Sequence, residues 1–202
     1  MTDVVVQKPA VNSPESALVA ALGRRSIVLV GMMGAGKSSI GRRLAARLGL
    51  QFVDADGEIE KAAGRTIAEI FASHGEPYFR AGEARVIARL LEGGPQVLAT
   101  GGGAVMDAKT RALIRAKAIS IWLKADPEVL MRRTKRRDDR PLAEKLIELL
   151  PQREPIYAQS DLTVQSREEP HELIVEEIIA ALAGPLGLKP AKPGAAATEK
   201  SP

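Results

Sequence analysis

Apolar runs and helical periods alternate along the middle of this chain. Ser26–Val30 is a nearly continuous apolar run closed by Gly31, the pattern of a strand buried on both faces. After it Ile40, Leu44 and Leu48 recur every four residues, with Arg42, Arg43 and Arg47 off that stripe and Gly49 to stop it. That spacing predicts an amphipathic helix. Gln51–Asp54 predicts a second strand. Thr66-Ile-Ala-Glu69 has capping-box spacing and opens a short helix through Phe71, while Pro77 starts a longer helix to about Leu91. Gln96–Ala99 is a third strand, Asp107 caps a helix to about Arg115, and Ala118–Leu123 is a fourth strand. Asp126-Pro127 supplies an N-cap and first helical residue for a helix through Arg133. Leu162–Val164 is a short fifth strand, and Pro170 opens the last helix. Strands that alternate with helices imply a parallel sheet covered on both faces. The expected class is α/β, in three layers.

The flanks differ from this middle. Residues 1–23 read as a flexible, alanine-rich leader with a short helix over Ser16–Leu22. Residues 187–202 are rich in Pro, Ala, Gly and Lys and read as a disordered tail. The domain itself is expected over residues 24–186. With 202 residues in all, one compact domain is expected, since domains usually run to ~100–200 residues. No cysteine is present, which excludes a disulfide scaffold, a thiol nucleophile and a thiolate-ligated zinc. His74 and His171 stand far apart, belong to no motif, and read as surface residues. Trp122, in an apolar strand, reads as core. Met32 and Met33 read as packing residues or as lining of an acceptor cleft. No apolar run approaches the ~18–20 residues of a membrane span, and the first ten residues lack the apolar stretch of a signal peptide. A cytoplasmic protein without a membrane partner is expected.

The net charge of +4 invites a nucleic-acid reading, but its distribution argues against one. Arg132–Arg140 holds six cations and two anions, which accounts for the whole formal excess. One local basic segment suits a small polyanion better than a duplex, which asks for a stripe of charge. Aromatics at 3% are also too few for base-stacking platforms.

Gly31-Met-Met-Gly34-Ala35-Gly36-Lys37-Ser38 satisfies the P-loop pattern and sits where that motif must, between a buried strand and a helix. Small residues let successive backbone N–H groups turn inward around a β-phosphate at the positive end of the helix. Lys37 then neutralises the β- and γ-phosphates, and the Ser38 hydroxyl is a ligand for Mg²⁺. Ser39 completes the expected nucleotide-binding set with Gly34, Ala35 and Gly36. The loop implies ATP or a similar triphosphate without naming the acceptor.

Asp54-Ala55-Asp56 ends the second strand, beside the crevice where sheets of this kind bind ligands. Alternation places both carboxylates on one side of the chain. They suit magnesium held through water, or an acceptor hydroxyl to be oriented and deprotonated; a solvated turn with an Asp cap is the plainer alternative. Arg80 is expected on a helix among apolar neighbours. Gly101-Gly102-Gly103 follows the third strand, and three glycines there cost backbone entropy that is worthwhile where a ligand approaches the chain closely.

Taken in order, Gly-Met-Met-Gly-Ala-Gly-Lys-Ser, Asp-Ala-Asp, Tyr-Phe-Arg-Ala-Gly-Glu, Ala-Thr-Gly-Gly-Gly-Ala, Asp-Arg-Pro-Leu and Arg-Glu-Pro-Ile-Tyr resemble the shikimate kinase family from about Ile27 to Leu182. The resemblance implies a P-loop kinase fold of the nucleoside monophosphate kinase type, with a five-stranded parallel sheet. It implies transfer of the ATP γ-phosphoryl group to the 3-hydroxyl of shikimate, on the route to chorismate and the aromatic amino acids. It further implies that Asp56 engages the acceptor hydroxyl and that Asp54 lies near the magnesium water shell. Arg80 and Arg153 would pair with the shikimate carboxylate beside Gly101, Gly102 and Gly103. Arg140 would reach the phosphates from a lid near residues 135–145, Arg133 would lie near the adenine, and Lys37, Asp56 and Arg140 would form the catalytic set. A monomer is expected. The basic run Arg132–Arg140 then has its polyanion in ATP. The rival readings are another P-loop kinase of small metabolites, such as a gluconate or nucleotide kinase, and a nucleotide-dependent switch or nucleic-acid-binding ATPase.

Overall fold

The computed structural model describes Pro9, residues 13–134 and residues 146–188. The expected lid near residues 135–145, with Arg140, lies outside the described residues, as do most of residues 1–12 and the tail beyond Leu188.

Five strands form one parallel sheet: β1 Ser26–Val30, β2 Gln51–Asp54, β3 Gln96–Ala99, β4 Ala118–Lys124 and β5 Leu162–Gln165. Their order across the sheet is β2-β3-β1-β4-β5. β1, the central strand, is buried at all five positions and pairs on both edges. Ile27 lies opposite Val97 on β3, and Ser26 lies opposite Ala118 on β4. The helices are α1 Pro14–Leu22, α2 Lys37–Leu48, α3 Ala55–Ala63, α4 Ile67–Glu92, α5 Ala108–Lys117, α6 Pro127–Thr134, α7 Leu146–Tyr157 and α8 His171–Leu182, with a 3-10 turn at Ala104–Met106. All five expected strands are present, each within one residue of its expected end. Among the described residues no helix is long and apolar enough to cross a membrane.

The topology places the site. The chain leaves β1 for β2 on one side and leaves β3 for β4 on the other, so neighbouring strands β1 and β3 send their connections apart. A crevice opens at the carboxyl ends of such a pair. The P-loop follows β1 there, and the glycine triplet follows β3.

Several local expectations change. The leader carries a structural helix: Ser13 caps α1 by accepting from Ser16 N–H, Pro14 opens it, and Leu18 and Leu22 are 3% and 2% exposed in the main core. Leu186, at the domain's expected end, and Leu188, beyond it, also pack against that core. Thr66 and Glu69 form the expected capping box, and α4 bends at Gly75, whose φ of 78° and ψ of 174° are non-helical. Only glycine adopts that conformation readily. Asp54 ends β2, but Asp56 lies in the first turn of α3, so a helix rather than strand alternation orients the pair. The prolines of α7, Pro151 and Pro155, hide its helical pattern from a propensity reading.

A small second core of Ile59, Ile70 and Phe79, with Ile67, Phe71 and Val86 against it, ties α3 to α4 apart from the main core. The wall of the crevice opposite the P-loop therefore rests on its own apolar cluster.

Candidate functional site

A cleft of about 910 Å³ opens between the P-loop and the α3–α4 wall. Met33, Gly34, Gly36, Lys37 and Ser38 line its phosphate side; Asp54, Asp56, Arg80, Glu83, the glycine triplet and Arg153 line the other.

The phosphate side is backbone geometry. Gly31, Gly34 and Gly36 have φ of 133°, 83° and 90°, which L side chains rarely adopt. A Cβ on Gly31 would also stand 2.7 Å from the Leu123 carbonyl oxygen, and one on Gly34 would stand 3.0 Å from that of Leu130. Gly36 is the N-cap of α2, so the loop feeds directly into the helix N-terminus, where N–H groups and dipole favour an anion. Lys37 Nζ donates to the carbonyls of Gly31 and Met32 at 2.8 and 2.9 Å, folded back over its own loop. Ser38 Oγ donates to Asp54 Oδ2 at 2.7 Å, while Asp54 Oδ1 accepts from the Asp56 N–H at 3.2 Å. A hydroxyl and a carboxylate thus meet where the P-loop ends. Ala35 is buried and offers backbone only; Ser39 sits on α2 outside the cleft lining.

Arg133, on α6, reaches back to the loop. Its Nη1 donates to Gly34 O at 3.3 Å and Ser166 Oγ at 3.1 Å, and its Nη2 donates to Arg167 O at 2.8 Å. It clamps the P-loop to the segment after β5, the region where the adenine is expected.

The opposite side is built from side chains over glycines. Arg80 Nη1 donates to Glu83 Oε2 at 2.7 Å, and its Nε and Nη2 donate to Glu76 Oε1 at 3.2 and 3.0 Å. A Cβ on Gly103 would meet that guanidinium at 2.5–2.6 Å, and one on Gly101 would stand 2.7 Å from Glu83 Oε1 and 2.9 Å from Asp56 Oδ1. The triplet is therefore a floor that lets four charged groups crowd together. Arg153 is the fourth; it is 6% exposed and lies 3.5 Å from the Cβ position of Gly102. Tyr157, one turn along α7, donates its hydroxyl to Gly102 O and contacts Met32 Sδ at 3.4 Å. Burial pushes that phenol up to about 12, so it stays a donor throughout the working pH range.

Burial raises the Glu83 carboxyl above its ordinary range; the Arg80 guanidinium opposes this, Asp56 adds to it, and Arg153 opposes it. Glu83 and Tyr157 are the residues sequence reasoning left without roles. Each stood inside a quoted motif, at i+3 from Arg80 and i+4 from Arg153, and that helical spacing was the available signal. Met32 is 2% exposed and Trp122 6%, both core as expected. Met33 lines the cleft, and His74 is exposed. Of the expected site residues, Arg140 alone falls outside the described chain.

A profile described as shikimate kinase matches residues 33–183. A shikimate kinase of Bradyrhizobium diazoefficiens is 64% identical over 180 residues, covering 86% of this chain and 87% of the relative. One of Rhodopseudomonas palustris is 56% identical over 200 residues, covering 96% of this chain and 98% of its own length. Among solved structures, the shikimate kinase from Acinetobacter baumannii in complex with shikimate is 35% identical and superposes with a TM-score of 0.78, covering 83% of this chain and 98% of that one.

Proposed function

The chain belongs to the shikimate kinase family, and we propose that it transfers the γ-phosphoryl group of ATP to the 3-hydroxyl of shikimate through the residues of this cleft. The observation that carries the reading is one cleft with a P-loop on one side and, on the other, Asp56 beside two arginines over a glycine floor. Relatives at 64% identity favour shikimate over the gluconate alternative.

Phosphoryl transfer asks little covalent chemistry of the protein and much positioning and charge neutralisation. Lys37 swings from the loop carbonyls to the β- and γ-phosphates, and the loop N–H groups with the α2 N-terminus hold the rest of the polyphosphate. Arg133 fixes the loop against the segment after β5 and borders the base. Arg80 exchanges its Glu76 contacts for the acceptor carboxylate, which Arg153 grips from the other side; a planar guanidinium suits a carboxylate through paired hydrogen bonds. Asp56 orients the acceptor hydroxyl toward the γ-phosphorus and takes its proton. Arg140 completes charge neutralisation at the phosphates.

The Ser38–Asp54 pair, two hard oxygen donors 2.7 Å apart, fits Mg²⁺, which typically takes one or two protein oxygens and fills its shell with water and phosphate. When bound, the ion supplies Lewis-acid neutralisation of the phosphates.

ADP release under saturating Mg-ATP tests the reading. Turnover is expected only with shikimate; equal release with and without it, or a preference for gluconate, rejects the acceptor.

A further inference from the structure

The mechanism above leaves one buried atom unused. Glu83 is 2% exposed, its Oε2 is paired with Arg80, and its Oε1 has no hydrogen-bond partner among the described residues. That orphan oxygen points across Gly101 to the place Asp56 Oδ1 also faces. A buried carboxylate oxygen without a donor carries a desolvation cost that native structures rarely leave unexplained. The cost falls if the oxygen carries a proton and the new O–H meets an acceptor.

We propose that Glu83 is a proton-binding site coupled to the acceptor: seating the acceptor carboxylate on Arg80 and Arg153 draws one proton from solvent onto Glu83 Oε1. This rests on the acceptor reading above and goes beyond it. The charged groups facing Glu83 are Arg80 on its own helix, Asp56 from α3 and Arg153 from α7; Glu76 reaches it only through Arg80. In the empty site Arg80 and Arg153 face the carboxylates of Glu83 and Asp56, and Arg80 also holds Glu76. The incoming carboxylate takes the place of Glu76 on Arg80 and also engages Arg153, so it draws both cations away from ionised Glu83 and raises the affinity of Glu83 for a proton. Asp56 Oδ1, which faces the same side of Gly101, is the acceptor for the new O–H. Burial and Asp56 already push the Glu83 carboxyl upward in the empty site, so acceptor binding need only extend a shift that has begun.

Linkage fixes the sign. Proton uptake on binding makes acceptor affinity fall as pH rises through the interval between the free and bound values of Glu83. Isothermal titration of shikimate into the full chain, in pairs of buffers differing in ionisation enthalpy, counts the protons taken up. The wild type is expected to take up a fraction of a proton, rising to at most about one, at pH values above the ordinary carboxylate range. Glu83→Gln, which keeps an acceptor for Arg80, is expected to bind with no uptake and with a flat pH profile. Glu83→Asp, which keeps a titrating group, is expected to restore uptake in a shifted interval.

Binding by the wild type with no proton exchange at any pH overturns the proposal alone, whatever the variants do. Equal uptake by Glu83→Gln also overturns it and moves the proton to Asp56. Absence of any shikimate binding overturns it together with the acceptor reading.

Discussion

The two sides of the cleft are made by different physics. The phosphate side is contiguous: eight residues from Gly31 to Ser38, shaped by positive φ and by the start of α2. The acceptor side is assembled from α3, α4, α7 and the glycines after β3, elements far apart in sequence, and it holds charged groups in partial or full burial. The first stores its specificity in backbone dihedrals; the second stores it in side chains that must each be paired. A site of the first kind tolerates little change of shape, and a site of the second kind responds to charge and pH.

The largest effect is expected at Lys37, the lysine of the phosphate side. Lys37→Ala should lower kcat by about 10²–10³-fold or more, the range for removing one preorganised charge-stabilising donor. Its Nζ contacts are carbonyls of its own loop, so the circular dichroism spectrum should stay that of the wild type. Loss of the fold in Lys37→Ala would make this lysine structural and erase the distinction between the two sides.

Next in size is a change to the scaffold behind the phosphate side. α1 packs on α2, with Arg47 Nε donating to Glu15 at 3.0 Å, and Leu18 is 3% exposed. Leu18→Ala should cost about 2–5 kcal/mol and lower the melting temperature by roughly 5–15 °C. Shikimate affinity measured well below the melting temperature should not move, because no residue of α1 lines the cleft. An unchanged melting temperature would return this segment to the dispensable leader that its composition suggested.

A smaller and more selective effect is expected on the acceptor side. Gly103→Ala places a methyl 2.5–2.6 Å from the Arg80 guanidinium, and the arginine must retreat. Charged hydrogen bonds are worth about 1.5–3 kcal/mol, so the KM for shikimate should rise roughly 10–100-fold while the KM for ATP holds. A parallel rise in both would mean that the glycine floor serves the P-loop and that the two sides are not separable.

The same contrast explains what the sequence disclosed. The strands were legible because β1, β3 and β4 are buried runs of apolar residues, and the P-loop because its requirements are local. Asp54, Asp56, Arg80 and Arg153 converge on the cleft, but their convergence depends on topology, and ordered motifs rather than periodicity pointed to them. Glu83 was hidden because a glutamate three residues from an arginine reads as a surface pair; only the burial of that pair, a tertiary fact, changes its meaning. The helix of α1 was expected but its packing was not, since Leu18 and Leu22 are too few to announce a buried face in an alanine-rich segment. α7 was hidden by two prolines that tertiary packing overrides.

The smallest predicted effect concerns stability alone, in the absence of ligand, and it isolates the cost of building the acceptor side from charge. Burial raises Glu83 above its ordinary 4.5. Below that value both folded and unfolded chains hold the proton, and Glu83 contributes nothing to the pH dependence. As pH rises past it the unfolded chain releases the proton first, the folded chain then binds more protons than the unfolded one, and stability falls until pH passes the raised folded value. Carboxylates with lowered values, such as Asp107 held by Thr110 and Glu69 held by Thr66, act in the opposite sense, gaining stability as pH rises. The raw curve mixes both signs. The difference between wild type and Glu83→Gln removes what they share, because those caps lie elsewhere. Urea midpoints measured in steps from about pH 4 to pH 8 should therefore show the wild type losing ground against Glu83→Gln as pH rises, then running parallel to it once Glu83 is fully ionised. Curves parallel over the whole range would mean that Arg80 and Arg153 fully compensate the buried charge, and the acceptor side would then be no costlier to build than the P-loop.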